Sequence, residues 1–492
     1  MTTWLDNKTP IYFVVGGLVM GLSFLNVWFW WGGVIGLFIT LLGFKALDKI
    51  SWSFWCGVLA GTIKTSLALV WFWSIYPLDW LGNFNPVLQL VTIGFFWLLT
   101  SLVIGVGLGV FGWLFFLIKN NKFYFLIVPF ILVFSEILGS LLVCLYSFGP
   151  GSSLNANFSF GYLGYSLANH GLFSLSAVGG GVYGLSFIVA LIAISFYFLY
   201  TKNIFHTHKN KVILLLILVI FSYFLPQSIW TKQSEGLKVS AIQTYFEAVS
   251  SLTDLEQTKR ERLFKQALVA SLQSGSDVIV VPEAAHVMSS FLSEAEVFAF
   301  ISLYSDKRVV IVDSEQVTDD NGYRLVRSNI YDSETKRVYH TYKNYLVPSG
   351  EFVPYVVSST LNLLGFKNVT QELSEHMVYR QSDYKNDDLT LNNGLGVLFC
   401  SESLSPLGTW LVNPDQTKTL IVHPVSHAWF NNPKSLWYQL DLMLKAQVRW
   451  NKTPLVQASN LSPLKAYDAF GLSLRPEIIY VNPQVVVGLF EI

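Results

Sequence analysis

Along residues 1–228 apolar positions run almost unbroken, and polar residues gather at only a few places. Stretches of roughly 17–25 apolar residues can cross a bilayer as helices. The pattern predicts such spans near 11–26, 27–44, 54–74, 87–118, 123–146, 176–200 and 212–226, the fourth long enough for one tilted helix or two short ones. Beyond 228 the pattern breaks into short units. Val239–Phe246 alternates like a strand, and Leu252–Ser274 repeats apolar residues at helical spacing with charges opposite. Asp277–Pro282 is the nearly continuous apolar run of a strand buried on both sides. Further strands are predicted at Val309–Asp313, Leu325–Asp332, Val338–Tyr342, Gly394–Cys400, Thr419–His423, Leu455–Ala458 and Val485–Phe490, with an amphipathic helix over Ser435–Trp450. Strands interleaved with helices imply α/β layers around a central sheet.

Charge divides the chain at the same place. Residues 1–228 carry nine Lys, no Arg and four acidic residues, whereas 229–492 hold the other 23 basic and 28 acidic ones. The expected organisation is a transmembrane helical domain over 1–228 and a water-soluble domain over 229–492, large enough for its own core. Balanced charge gives no reason to expect nucleic acid. The Lys residues follow spans two, four and six, while loops 75–86 and 147–175 contain none, and basic loops stay in the cytoplasm. Seven spans, with the fourth unbroken, put every basic loop inside and the soluble domain on the far side, the periplasm in a bacterium. The N-terminus lacks a basic region with a small-residue cleavage site, so the first apolar segment is expected to be a retained helix.

Two charges, Lys64 and Glu136, fall inside spans. Such charges are costly and often functional, or else they face the bundle interior. His170, in the uncharged outer loop, is expected to be a structural hydrogen-bonding residue, and that loop to fold onto the outer membrane surface. Cys56 and Cys144 lie in spans and Cys400 in the soluble part, so no disulfide framework is expected. Nucleotide-binding glycine motifs, zinc-spaced Cys/His sets and repeats are absent, and neither a cofactor nor a metal is expected.

Three potential actors each follow a strand: Glu283 in IVVPEAAH, Lys343 in HTYKNYLVPSGEFVP and Cys400 in VLFCSESLSP. Each has a plainer reading as a helix cap, a solvated charge or core packing, but all three at strand ends form a joint pattern. Glu283 in its VPEA setting, Lys343 before LVPSGEFVP, and Cys400 with Glu402 two positions on resemble the Glu-Lys-Cys triad of the nitrilase superfamily. With the apolar spans ahead of it, FGYLGYS before a YGLSF-containing span, Glu351 in its LVPxGExVP element and AWF at 428–430, the chain resembles the bacterial apolipoprotein N-acyltransferases, the membrane-embedded branch of that superfamily.

That resemblance implies a multi-span helical membrane domain followed by an α/β nitrilase-like αββα sandwich, in the inner membrane with its catalytic domain periplasmic. It implies transfer of an acyl chain from a phospholipid, typically phosphatidylethanolamine, to the α-amino group of a lipoprotein's diacylglyceryl cysteine through a Cys400 thioester. Glu283 would be the base and Lys343 the oxyanion partner, the same cation favouring the thiolate. Glu351 and Glu402 would orient Lys343 or close the site, and Trp429 would support substrate binding. Departures are Ser401 after the nucleophile, Ser426-His427 in place of Asn-Asp, Gln457 and Leu461 in place of Arg and Gly, and Gly139 near an expected Arg. The family usually ends in a further transmembrane helix, whereas this chain stops at Ile492 after VVVGLF. A different acceptor, as in an amidase, or a catalytically weak lipid- or lipoprotein-binding role stands as the alternative.

Overall fold

The computed structural model describes residues 9–78, 85–150, 152–202, 236–247, 253–363, 365, 367–382, 394–431 and 433–492. Six helices fill the first part: α1 Thr9–Leu22, α2 Gly32–Lys45, α3 Ile50–Ala68, α4 Pro86–Ile118, α5 Tyr124–Tyr146 and α6 Gly181–Thr201. Four helical stretches are long and apolar enough to cross a membrane: 27–45, α4, α5 and α6. The fourth expected span is a single helix of 33 residues. The seventh, 212–226, and the expected boundary at 228 lie outside the described residues.

The bundle turns apolar side chains outward. Leu88, Val91, Phe95, Leu98 and Leu102 make an exposed stripe along α4, as do Leu126, Phe130 and Phe134 on α5. Spacing of three and four puts each set on one helix face. In water such stripes would be costly, and lipid is the solvent that suits them. Inside, α3 and α4 approach through glycines: a Cβ on Gly57 would meet the Leu108 carbonyl at 2.5 Å. Lys119 donates to the Leu47 carbonyl, which brings two basic turns together at one end. At the other end lies the loop between α5 and α6, in which Phe160, Tyr162, Tyr165 and His170 are buried. This loop does not spread over the surface as expected. Lys64 donates to the Gly161 carbonyl (2.7 Å) and Glu136 accepts from the Leu163 N–H (2.6 Å), so both intramembrane charges grip its backbone. His170 accepts from the Phe173 N–H and stacks on the Phe173 ring.

The second part has twelve strands. In chain order they are β1 Lys238–Thr244, β2 Val278–Val280, β3 Val310–Thr318, β4 Arg324–Asp332, β5 Arg337–Tyr342 and β6 Leu395–Val397. Then come β7 Leu420–Ser426, β8 Leu455–Asn460, β9 Lys465–Tyr467, β10 Ser473–Leu474, β11 Glu477–Asn482 and β12 Val485–Glu491. The long helices here are α7 Asp254–Gln273, α8 Glu294–Tyr304, α9 Tyr355–Leu363, α10 Lys367–His376 and α12 Lys434–Asn451, with a short α11 at Gly408–Val412. Pairing makes two leaves, β5-β4-β3-β2-β1-β12-β11 and β6-β7-β8-β9-β10. Among the described residues they join where Gln243 and Thr244 of β1 meet Ser459 and Asn460 of β8.

Alternation along each strand decides the layering. Val278, Val280, Val310 and Val312 of one leaf share a core with Leu395, Val397, Val422 and Val456 of the other. Ile279, Val281 and Ile311 face the opposite way, onto α7 and α8. Leu398, Ile421 and Leu455 face Leu444 and Val448 of α12. The result is an αββα sandwich. The same α12 sends Leu436, Leu440 and Met443 into the core of the helical bundle. It is therefore buried on two sides, where the sequence suggests a helix with one solvated face. The terminal VVVGLF run lies in β12, which pairs with β1 along its whole length.

Candidate active site

Glu283 follows β2, Lys343 follows β5 and Cys400 follows β6, all at the same edge of the sandwich. The chain leaves Glu283 through Ala284 and His286, both in the left-handed region (φ 56° and 53°), which bulkier residues adopt only under strain. Asp313 of β3 clamps this bend by accepting from the Met288 N–H (2.8 Å). Burial lifts the Asp313 carboxyl to about 7. Past Lys343, Ser349 (φ 59°) turns the chain so that Glu351 faces back.

Lys343 Nζ donates to Glu283 Oε1 at 3.1 Å and to Glu351 Oε1 at 2.7 Å, and its side chain is 2% exposed. Burial pulls the Lys343 pKa down, but the carboxylates of Glu283 and Glu351 outweigh it and hold the ammonium charged. Burial raises the Glu283 pKa against the pull of Lys343, so this carboxyl is a stronger base than an exposed one. Cys400 is close enough to both for their charges to act on its thiol, which donates toward the Ser426 carbonyl at 4.0 Å. Burial, then Glu283, push that thiol up, and Lys343 only partly offsets them. The cation favours the thiolate, as the charge pairing leads one to expect, but burial and Glu283 outweigh it.

Glu351 accepts from Lys343 and, through Oε2, from the Val347 N–H at 2.7 Å. Glu402 does something else. It accepts from the Phe399 N–H (2.9 Å) and the Asn344 N–H (2.8 Å), tying the turn at Cys400 to the residue after Lys343. Burial raises its carboxyl to about 7. Trp429 stands 48% exposed in the turn after β7, and its neighbour Phe430 packs edge-on against Trp71 of the bundle.

The turn that follows Cys400 is fastened to the loop between α5 and α6 and to α12, which packs into the bundle. The Leu404 carbonyl accepts from Ser159 Oγ (2.7 Å), and the Ser403 carbonyl from Gln447 Nε2 of α12 (2.7 Å). Asn431 donates to the Ser74 and Tyr76 carbonyls, and Tyr355 to that of Phe148. Gln447 is absent from the sequence-derived set because a polar residue on a helix gives no sign of its partner. His427 is absent too, and its Nε2 lies 3.9 Å from Cys400 Sγ. The only signal for it is its standing where the family pattern has another residue.

The other departures have local explanations. Ser401 donates to the Tyr345 carbonyl, and Gln457 to the Pro463 carbonyl. Leu461 has φ 55°, a conformation that favours the glycine expected there. Gly139 lies against α4, where a Cβ would stand 3.1 Å from the Ile104 carbonyl, leaving no room for an arginine.

An αββα sandwich thus carries a buried thiol, carboxylate and ammonium at one edge and is mounted on an apolar helical bundle, which is the layout of a membrane enzyme. The comparisons make the relationship more particular. No family model matches the chain. Over 383 residues it is 22% identical to apolipoprotein N-acyltransferase from Rickettsia prowazekii (strain Madrid E), spanning 75% of this chain and 71% of that protein. Over 363 residues it is 23% identical to apolipoprotein N-acyltransferase from Rickettsia typhi (strain ATCC VR-144 / Wilmington), spanning 70% and 66%. Among solved structures, a nitrilase-superfamily amidase from Nesterenkonia sp. AN1 aligns over 53% of this chain and 92% of its own, at TM-score 0.36 and 13% identity. The chain is an enzyme homologous to the apolipoprotein N-acyltransferases.

Proposed function

We propose that this protein transfers an acyl chain from a phospholipid, phosphatidylethanolamine in the typical case, to the free α-amino group of a diacylglyceryl-modified lipoprotein cysteine. Cys400, Glu283 and Lys343 carry the reaction at the outer face of the bacterial inner membrane. In the first half, Glu283 takes the thiol proton as sulfur attacks the ester carbonyl, and Lys343 stands beside the developing oxyanion. The lysophospholipid leaves with the proton from Glu283. In the second half the lipoprotein amine attacks the thioester, Glu283 takes the amine proton, and Cys400 departs and is reprotonated. A single well-placed oxyanion donor contributes about 3–4 kcal/mol in a dry site.

The observation that carries this reading is the fastening of the Cys400 turn to the bundle through Ser159 and Gln447. A two-chain lipid leaves the bilayer at a cost of about 0.8 kcal/mol per exposed CH₂, so an enzyme acting on it gains from holding its nucleophile at the lipid surface. The test is intact-mass analysis of purified protein incubated with phosphatidylethanolamine and no acceptor. One acyl adduct is expected on the wild type and none on Cys400→Ala, with discharge by a diacylated lipopeptide. Absence of an adduct on the wild type would leave only a binding role, and discharge by water or small amines alone would favour the amidase alternative.

A further inference from the structure

The side chain at 427 has a geometry that the triad does not use. His427 Nε2 is 3.9 Å from Cys400 Sγ, and Nδ1 is 2.7 Å from Ser462 Oγ, with both His427 and Ser462 buried. The ring is anchored at one nitrogen and aimed at the nucleophile with the other. The Ser426 carbonyl is also near the sulfur, at 4.0 Å.

The direction of these hydrogen bonds follows by elimination. Burial, then His423 and Lys465, lower the His427 pKa to about 3, so the ring is neutral and has one N–H. The single thiol proton points to the Ser426 carbonyl at 4.0 Å, which leaves a sulfur lone pair toward the ring. Nε2 must then carry the hydrogen, and Nδ1 accepts from the Ser462 hydroxyl. In this tautomer Nε2 cannot accept the thiol proton, but it can donate to sulfur in every state of the cycle.

We propose that His427 is a second catalytic residue, whose Nε2–H hydrogen-bonds the Cys400 sulfur and stabilises it as the thiolate expelled from the thioester. Resting on the nucleophile assigned above, the step is this: the acceptor amine forms a C–N bond to the acyl carbon, the C–S bond breaks with its electron pair on sulfur, Glu283 holds the amine proton, and His427 holds the thiolate until that proton returns. Ser462 is a positioning residue that fixes the tautomer. Glu283, Lys343 and Glu351 face the same sulfur, so its charge is set by all four groups.

The experiment measures the pH dependence of Cys400 alkylation by iodoacetamide, followed by peptide mass spectrometry, in full-length wild type, His427→Leu, His427→Gln and Ser462→Ala. A hydrogen bond to a charged group corresponds to roughly a ten-fold effect or more. His427→Leu is expected to move the alkylation midpoint up by about one pH unit and to slow discharge of the acyl adduct by lipopeptide about ten-fold. His427→Gln, which keeps an N–H in the same direction, is expected to recover part of both. A wild-type midpoint in folded His427→Leu overturns the proposal. If that variant does not fold, Ser462→Ala decides: an upward shift supports the proposal, and an unchanged midpoint overturns it. Because alkylation requires no lipid, a His427-dependent midpoint without any acyl adduct on the wild type would overturn the acyl-transfer reading and leave standing only the Nε2–H hydrogen bond that stabilises the Cys400 thiolate.

Discussion

Lys343→Met is the most demanding test of the site. The substitution keeps most of the side chain's volume and removes the one cation from between two carboxylates, at 3.1 Å from Glu283 and 2.7 Å from Glu351. Breaking a buried pair from one side costs about 3–5 kcal/mol, because the abandoned charge keeps its desolvation penalty. Here two carboxylates are abandoned, so Lys343→Met alone is expected to melt well below the wild type. Catalysis suffers twice. Loss of a donor at the oxyanion costs about 10²–10³ in rate. Without Lys343 the Glu283 pKa, already raised by burial, rises further, and its carboxyl becomes protonated and useless as a base near neutral pH. Acylation of Cys400 is therefore expected to fall by more than about 10³. The double variant Lys343→Met/Glu351→Gln separates the two effects, since it removes one stranded charge and restores stability without restoring the cation. Intact-mass time courses of adduct formation, with thermal melts in the same detergent, supply both readings. If the double variant acylates within ten-fold of the wild type, Lys343 is a structural counter-ion and the mechanism is wrong.

Gln447→Leu strands the Ser403 carbonyl and the Thr409 N–H, which Gln447 meets at 2.7 Å and 3.1 Å. A stability loss of about 2–5 kcal/mol and slower acylation are expected, and a melt identical to wild type would contradict the fastening. Glu402, lifted from 4.5 to about 7 by burial, binds its proton more tightly in the folded state. Its contribution is full below about pH 4.5 and fades as pH rises through 7, so Glu402→Gln should flatten the melting temperature between pH 5 and 8. An unchanged slope would place that titration elsewhere. Leu461→Gly relieves a left-handed φ of 55° and is expected to stabilise the fold by about 1 kcal/mol in chemical denaturation.

The long regular elements were legible because each has one dominant neighbour. Doubly buried runs such as Val278–Val280, and apolar spans such as Pro86–Ile118, announce themselves by length and composition. Glu283, Lys343 and Cys400 were legible as strand-end residues, and the fold places them at one edge. Three kinds of feature were not. The strands β9 and β10 are only three and two residues long, and β11, though apolar in sequence, stays largely exposed at the edge of its leaf, so pairing selects them more than their own pattern does. Helix α8 has no counterpart among the elements expected from the sequence, although Ser293 caps it by accepting from the Glu296 N–H. Side chains whose role depends on a distant partner, Gln447 on Ser403 or His427 on Ser462, carry no local signature. For the same reason the expectation for Glu402, to orient Lys343 or close the site, names neither of the backbone amides that it bonds.

Helix α12 has a consequence for how the enzyme can be taken apart. Its Leu436, Leu440 and Met443 belong to one half of the molecule, and its Leu444 and Val448 to the other. An excised soluble half would present a greasy ridge to water, and a truncated bundle would lose part of its filling. The head cannot be grafted onto a foreign anchor, so changes in either half must be matched along this partition.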